Sequence, residues 1–423
     1  MIHLILNLLN RFIKFKYFFL SPLPYAIGTA SEQILIASKY AKLLNKKIII
    51  IKIRSLDYKI SNNSLFDDLE INKESLKMIK PLNYILTIIL EIEFIIWRLF
   101  IFFCDKIKLK LHENFRFSRI GVPNIFESNK TKDKNFILKK YEDIEKFKLE
   151  NQSLSLNTEL EKKCKKILNQ FITKRQNKIV CLHVRDGFYR NDFKRKSYRN
   201  SNIEKYNRAI KYLIDKGYFV IRLGDKNSKK TKIKNQYFFD YPFSKFRNEA
   251  MDLYLIKISK FYIGTQSGIL DTAYMFNKPI LTTNMCELFT NYPRKKYDRG
   301  IFKKVFLKKN KKRVSILNFM SASYKYHNPD YENENFYFKE NTENEIYLAV
   351  KEFEKNFKNK FKIKKSGIQK KFNRIHKDRF KNFFYERDDY QNSLINSVDR
   401  LKRIRMFKAS SGALCNSYLK NNL

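Results

Sequence analysis

From residue 177 onward, short apolar runs alternate with longer stretches in which apolar residues recur at helical spacing. The short runs are typical of strands covered on both faces: NKIVCLHV, YFVIRLGD, QYFFDYP, KFYIGT and KPILTTN. The longer stretches predict the helices between them: NIEKYNRAIKYLIDKG, EAMDLYLIKIS and SGILDTAYMFN. Strands that alternate with helices of this length predict βαβ units, and therefore an α/β fold with a parallel, doubly wound sheet.

A shorter pattern of the same kind stands near the start of the chain. Gly28 lies in a loop before an amphipathic helix predicted from about 31 to 44, and the buried strand KIIIIKI follows it. A helix followed by a strand is half of an α/β repeat. Further helices are predicted at 137–149 and 157–173, after a polar loop around 121–136.

These patterns divide the chain into three parts. We predict a first domain at 1–165, a second at 170–355 and a basic helical extension at 356–423. Thr342, three residues before Glu345, predicts a capping box that opens an amphipathic helix near the end of the second domain.

Two apolar stretches raise the question of a membrane. In residues 1–20 the basic residues follow the apolar run, which is unlike a signal peptide, and an amphipathic segment on a membrane surface is the alternative. Residues 84–103 are long enough to span a bilayer, but each of their three charged residues would cost about 2.5–3.5 kcal/mol at its centre. We expect a buried or interfacial helix there, with a transmembrane span as the alternative.

The chain is strongly basic, with 87 lysines and arginines against 42 acidic residues and a net charge of +45. Its lysines accompany many Asn, Ile, Phe and Tyr residues, which is typical of base-composition drift in an AT-rich genome. The charge therefore does not identify nucleic acid as the partner, and an anionic membrane surface or a phosphorylated substrate fits at least as well. The five cysteines are widely spaced without a CxxC motif, which argues against disulfides or zinc and for a reducing compartment.

Polar residues follow the first strand of the second domain, at the end where parallel sheets bind ligands. His183 and Arg185 are two residues apart and share one face, and Asp186 comes next. An arginine there offers phosphate or carboxylate a planar fork of donors. A surface salt bridge at a strand end is the alternative.

Two further strand ends carry the same kind of signal. In RLGD, Arg222 to Asp225, Gly224 permits a sharp turn and Asp225 accepts from a ribose hydroxyl or a base, or caps the turn. In IGTQSG, residues 263–268, Ser267 and Gly268 open a helix whose N-terminus is an anion site, or else an ordinary cap with a packing glycine. Neither GxGxxG nor GK[ST] is present.

In this order and spacing, the motifs resemble a family of bacterial glycosyltransferases of GT-B architecture. More distantly, they are similar to the fucosyltransferases that use GDP-fucose. The resemblance covers about residues 175–290 and extends weakly to PYAIGTASEQ and NTENEIYLAVKEF. It implies two Rossmann-like domains that face each other across a cleft, the first on the acceptor side and the second holding a nucleotide sugar.

The resemblance also implies roles for single residues. Arg185 would grip the diphosphate, His183 would line the same site, Asp225 would lie near the nucleoside, and the loop of Gly28 would face the cleft. The phosphates would be bound through the helix N-terminus by Gly264, Thr265, Ser267 and Gly268. The chain departs from the family at Gln266, where a serine is usual.

We therefore expect a glycosyltransferase that moves a sugar from a nucleotide-sugar donor to a surface glycan or a lipid-linked acceptor. No acidic cluster of DxD type stands on a strand end, so neither a metal nor any other cofactor is expected. Arg185 and the helix at Ser267 would stabilise the leaving diphosphate. Asp186 and His183 are candidate bases for the acceptor hydroxyl.

The expected location is the cytoplasm, and peripheral attachment to the inner face of the cytoplasmic membrane is left open. The alternative function is a non-catalytic basic binding protein, for example one that binds nucleic acid through the tail KKFNRIHKDRFKNFFYERDDY. An amphipathic helix that packs back onto the protein explains that tail as well, and we do not expect nucleic acid as the main partner.

Overall fold

The computed structural model of the chain describes residues 16–20, 22, 24–43, 45–50, 60–71, 74–75, single positions between 84 and 107, 154–172, 178–190, 197–286, 292–316, 336–360, 366–374 and 411–423. The predicted loop at 121–136 and helix at 137–149 lie outside the described residues, and so does most of the basic tail.

The N-terminal part contains two small sheets. Strand β1 (Tyr17–Leu20) pairs in parallel with β2 (Lys47–Ile50), and α1 (Ile27–Leu43) connects them. After the short helix α2 (Ser64–Asp67), an antiparallel sheet follows, consisting of β3 (Leu69–Ile71), β4 (Glu74–Ser75) and β5 (Leu154–Leu156). Helix α3 (Thr158–Leu168) leads from β5 towards the central sheet.

The remaining elements alternate as the pattern predicts. In chain order they are β6 (Ile179–His183), α4 (Asn207–Asp215), β7 (Phe219–Leu223), β8 (Phe238–Asp240), α5 (Glu249–Ile258), β9 (Phe261–Thr265), α6 (Ile269–Met275), β10 (Ile280–Met285) and β11 (Arg299–Phe302). They continue with β12 (Lys304–Leu307), β13 (Arg313–Val314), β14 (Phe336–Lys339), α7 (Glu343–Lys358), β15 (Ala413–Leu414) and α8 (Asn416–Lys420). Strands β12, β13 and β14 form a small antiparallel sheet.

The central sheet has seven parallel strands in the order β15-β11-β10-β9-β6-β7-β8. From β6 the chain moves outwards through β7 to β8, and then crosses to the other side of β6, where β9, β10 and β11 follow. This is the order of a Rossmann-like, doubly wound sheet, which reverses direction between β6 and β9. Such a switch point leaves a crevice outside the carboxyl ends of the two strands.

Helices cover both faces of the central sheet because successive strand residues point to opposite sides. Val180 and Leu182 pack in one buried cluster with residues of α4 and α7. Ile179 and Cys181 pack in a second buried cluster with residues of α1, α5 and α6. The predicted α/β sheet with two covered faces is therefore confirmed.

Helix α1 reaches the central domain through a close contact with α6. A methyl group added at Gly28 would lie 2.4 Å from Gly268 Cα and 2.6 Å from Gly268 O. One turn further along, the hydroxyl groups of Ser31 and Thr272 are 3.0 Å apart. The two helices therefore meet backbone to backbone at their N-terminal ends.

We predict that Gly28→Ala lowers the free energy of unfolding by about 2–3 kcal/mol, because the new methyl group meets main-chain atoms that cannot rotate away. Gly268→Ala should cost less, since its methyl group would be 3.2 Å from the nearest atom, Gly28 N. Gly367→Ala is the matched control, because no atom lies within 4 Å of the added carbon. Urea unfolding at pH 7 measures the three changes, and an equal cost at all three glycines would contradict the contact.

Three features of the structure differ from the predicted organisation of the chain. Residues 17–20 form a strand that pairs with β2, which the sequence pattern did not predict. The boundary predicted at 356 falls inside α7, which is stabilised by burial of Ile346, Val350 and Phe353. Strand β15 lies within the predicted extension but pairs with β11, so the chain returns to the central sheet there.

The described N-terminal strands form a two-stranded and a three-stranded sheet, and the GT-B arrangement of two facing Rossmann-like domains stays a prediction. Among the described residues, no helix combines the length and the apolar character needed to cross a membrane. None of the described cysteines forms a disulfide.

Candidate active site at the switch point of the sheet

The ends of β6 and β9 bring five predicted site residues together. His183 lies beside Gly264 in the register of the two strands. The backbone N–H of Arg185 donates to Thr265 Oγ1 at 2.9 Å. His183 Nδ1 and Ser267 Oγ are 3.1 Å apart. The switch point is therefore lined by an imidazole, a guanidinium and two hydroxyl groups.

His183 is held in its neutral form. Its pKa is lowered to about 3, mainly by burial and in addition by the positive guanidinium groups of Arg222 and Arg185. A neutral imidazole with so low a pKa is a weak proton acceptor but a good hydrogen-bonding group. The positive charges that depress this pKa also favour an anion nearby, and a bound anion would raise the pKa of His183 again.

We predict that the His183 imidazole stays neutral when the pH is lowered from 8 to 5. The unfolded chain takes up a proton at this residue near pH 6.5, whereas the folded state does so only near its lowered pKa of about 3. The stability that His183 contributes is therefore complete above pH 6.5 and is lost as the pH falls, by up to about 1.4 kcal/mol per pH unit.

His183→Gln should remove this part of the acid sensitivity, which pH-dependent urea unfolding of the two proteins would show as a flatter slope between pH 6.5 and 4. Histidine NMR signals of the folded protein provide the direct test. A His183 signal that titrates between pH 6 and 7 would contradict the prediction.

A loop before α4 closes the site, and its residues were not foreseen from the sequence. Arg199 Nη2 donates to the carbonyl of Gln266 at 3.1 Å, and the N–H of Ser201 donates to the carbonyl of Arg185 at 2.7 Å. Lys303, which follows β11, donates to the carbonyl of Tyr198 at 2.8 Å. No pattern in the sequence marks these residues, because Tyr198, Arg199 and Ser201 belong to a loop and the strand before Lys303 was not predicted.

Gln266, the departure from the resembled family, has a structural role. Its side chain is fully buried, and Gln266 Oε1 accepts from the backbone N–H of Cys286 at 3.0 Å. It therefore fixes the end of β10 against the end of β9.

Asp186 and Arg222 belong to a buried ion-pair network. Arg222 is 1% exposed and donates to Asp240 Oδ1 at 3.1 Å and to the carbonyl of Lys229 at 2.7 Å. Asp186 Oδ2 accepts from the N–H of Lys229 at 3.1 Å and lies 3.9 Å from Arg222 Nη2. Asp186 therefore pairs with Arg222, and both residues hold the loops after β6 and β7.

The other predicted residues make packing contacts. Asp225 pairs with Arg247 at 3.2 Å, and a methyl group at Gly224 would meet Pro242 at 3.2 Å. Gly268 meets the backbone of Gly28, as described above. The helix that follows Ser267 is only seven residues long, so its N-terminus by itself does not define an anion site.

A cavity of about 640 Å³ opens next to this network. Its walls combine aromatic rings, lysines and amide or hydroxyl groups. They include Phe188, Tyr198, Tyr337 and Phe338, Lys229, Lys303 and Lys308, Asn200, Ser201, Asp186 and Glu340. The volume and this mixture of groups suit a drug-sized polar aromatic ligand that carries negative charge. Because Asp186 and Ser201 line the cavity and flank Arg185, the cavity and the switch point are adjacent.

Within the described ranges, no three His, Cys, Asp or Glu side chains converge as a metal-binding group. The metal independence inferred from the sequence stays a prediction. No protein-family model, no curated protein and no solved structure matches this chain, so the switch-point geometry is what supports a functional assignment.

Proposed function

We propose that the protein is a glycosyltransferase that uses a nucleotide-sugar donor and a glycan or lipid-linked acceptor. The observation that carries the proposal is the position of His183, Arg185 and Ser267 at the switch point of a doubly wound sheet, beside a basic and aromatic cavity. The diphosphate of the donor would lie at these three residues, and its nucleoside would enter the cavity. The resemblance of residues 175–290 to GT-B glycosyltransferases supports the same assignment.

The proposed chemistry needs positive charge where this site has it. The acceptor oxygen bonds to the sugar carbon while the bond from that carbon to the diphosphate oxygen breaks, and the electron pair stays on the phosphate. The acceptor proton leaves to a base or to water. Arg185 would stabilise the developing phosphate charge, and Lys229 and Lys308 would attract the donor.

Binding of nucleoside diphosphates tests this proposal. Calorimetry with GDP, UDP, ADP and CDP should show one of them binding at micromolar concentration, with the corresponding nucleoside at least tenfold weaker. Release of that diphosphate from its nucleotide sugars would identify the donor. Failure of all four diphosphates, together with tight and salt-sensitive binding of mixed RNA, would favour the basic binding protein instead.

A second part of the proposal concerns the membrane. Every described residue between 84 and 107 is a large apolar one and is at least 38% exposed: Tyr84, Ile85, Ile88, Ile89, Ile92, Ile95, Ile96, Leu99, Phe103 and Ile107. At 100° per residue these positions fall within an arc of about 140°, which is wider than a coiled-coil seam. We propose that this stripe docks the protein on an anionic membrane surface at its cytoplasmic face, aided by the net charge of +45.

Co-sedimentation with lipid vesicles tests the stripe. The protein should bind vesicles that contain anionic lipid and lose most of this binding when Ile92 and Ile96 are both replaced by Glu. Equal binding by the wild type and the double variant, or none by either, would contradict the docking role.

A further inference from the structure

The side chain of Ser267 links those of Tyr262 and His183. Its hydrogen bonds determine which nitrogen of the His183 imidazole carries the proton. Ser267 Oγ lies 3.1 Å from His183 Nδ1. The hydroxyl of Tyr262, on β9, interacts with the same serine side chain. Tyr262, Ser267 and His183 therefore form a path that begins in the core and ends at the switch point.

The hydroxyl of Tyr262 is buried and directed towards this path. The side chain is fully buried, and its hydroxyl makes no regular hydrogen bond within the described residues. Gly264 lies two residues further on the same face of β9, and a methyl group there would be 2.5 Å from Tyr262 Cε1. The absence of a side chain at Gly264 thus lets the ring extend along the strand towards its carboxyl end, where Ser267 lies.

The chemistry of the three groups sets the direction of the hydrogen bonds. Burial raises the pKa of Tyr262 well above its usual value, so the phenol keeps its proton. A buried hydroxyl without an acceptor destabilises the folded state, and donation to Ser267 Oγ avoids that cost. Ser267 then donates its own proton to His183 Nδ1. A neutral imidazole carries one proton, which must then be on Nε2.

We propose that Tyr262 is a positioning residue that acts through Ser267 to hold His183 as the neutral tautomer with its proton on Nε2. Among the described residues Nε2 has no protein partner, since the one side-chain hydrogen bond of His183 is made by Nδ1. His183 then presents a fixed N–H donor to an anion in the crevice and does not act as a base. The identity of that anion rests on the proposed function, whereas the tautomer does not.

Nitrogen NMR of the ligand-free protein at pH 7 tests the tautomer directly. The signals of His183 are identified as those that are absent from the spectrum of His183→Gln. We expect these signals to show a protonated Nε2 and an unprotonated Nδ1. In Tyr262→Phe the signals should shift towards a mixture of tautomers, because Ser267 loses the donor that fixes its orientation. Tyr274→Phe is the matched control, because Tyr274 is equally buried and belongs to α6, and it should leave the His183 signals unchanged.

Substitutions of His183 test the donor role. The amide N–H of glutamine lies near the position of Nε2, and that of asparagine lies near Nδ1. Binding of inorganic pyrophosphate should therefore weaken by less than about fivefold in His183→Gln and by about tenfold or more in His183→Asn, which corresponds to one hydrogen bond to a charged group.

A proton on Nδ1 in the wild type, unchanged His183 signals in Tyr262→Phe, or equal losses in the two His183 variants would each overturn the inference. If no nucleoside diphosphate binds, the proposed function fails, and the NMR experiment still decides the tautomer.

Discussion

Replacing Arg185 with alanine is expected to lower donor turnover by about a hundred- to a thousand-fold, the loss that follows removal of one preorganised donor to a developing charge. The positive charge of Arg185 contributes to the lowered pKa of His183, and its backbone N–H binds Thr265, so the residue lies beside the switch point. The fold should survive, because the backbone of Arg185 makes the contacts that close the site, to Thr265 and Ser201. Release of nucleoside diphosphate from the donor measures the effect.

Two variants make this experiment specific. Arg185→Lys keeps the charge but loses the planar fork, so it should recover only a small part of the activity. Arg208→Ala removes the same charge from α4, where Arg208 is exposed and stacks 4.0 Å over the ring of Tyr347, and it should leave turnover within about twofold. Wild-type turnover in a folded Arg185→Ala protein would show that Arg185 does not hold the diphosphate.

The largest effect on stability is expected at Arg222. Arg222→Met should lower the free energy of unfolding by about 3–5 kcal/mol, because it leaves the partly buried Asp240 without the buried cation that pairs with it and removes the donor to the carbonyl of Lys229. Urea unfolding at pH 7 measures this loss. A loss below 1 kcal/mol would mean that the ion pair is solvated.

The pH dependence of this loss identifies its cause. Burial raises the pKa of Asp240, and the Arg222 guanidinium opposes that rise. Without Arg222 the folded pKa of Asp240 rises further above its unfolded value. Stability is then lost as the pH increases from the unfolded pKa of Asp240 to its higher folded pKa. Arg222→Met should therefore be less destabilised at pH 5 than at pH 8. Arg222→Met combined with Asp240→Asn should recover part of the stability at pH 8, since no charge is left unpaired.

Much of the central sheet could be predicted from the sequence, because its signals are local. Each apolar run is long enough, and rich enough in β-branched residues, to form a strand. Gly217 ends the segment after α4 with a φ of +80°, which glycine adopts without strain. Thr342 and Glu345 form the predicted capping box with both reciprocal bonds. The sequence also placed His183 and Arg185 on one strand end, and the structure puts both beside the end of β9.

The partners of the charged residues could not be predicted, because they depend on contacts between distant segments. Spacing alone does not tell whether Asp186 meets Arg185 or Arg222, and the structure pairs it with Arg222. Gly28 looked like a loop residue facing a cleft, but it is the first turn of α1 and touches a glycine some 240 residues later. Lys303 carries no motif at all, and its burial against the carbonyl of Tyr198 appears only in the folded chain.

Strand β15 has a consequence for how the protein is made. Its partner β11 is synthesised about 110 residues earlier, so the edge of the sheet stays open during that interval. Leu414, Cys415 and Leu419 then enter the same core as α4 and α7. The nascent domain is therefore nearly complete while its last edge is unprotected, and a chaperone that shields exposed strand edges should raise the yield of native protein during translation.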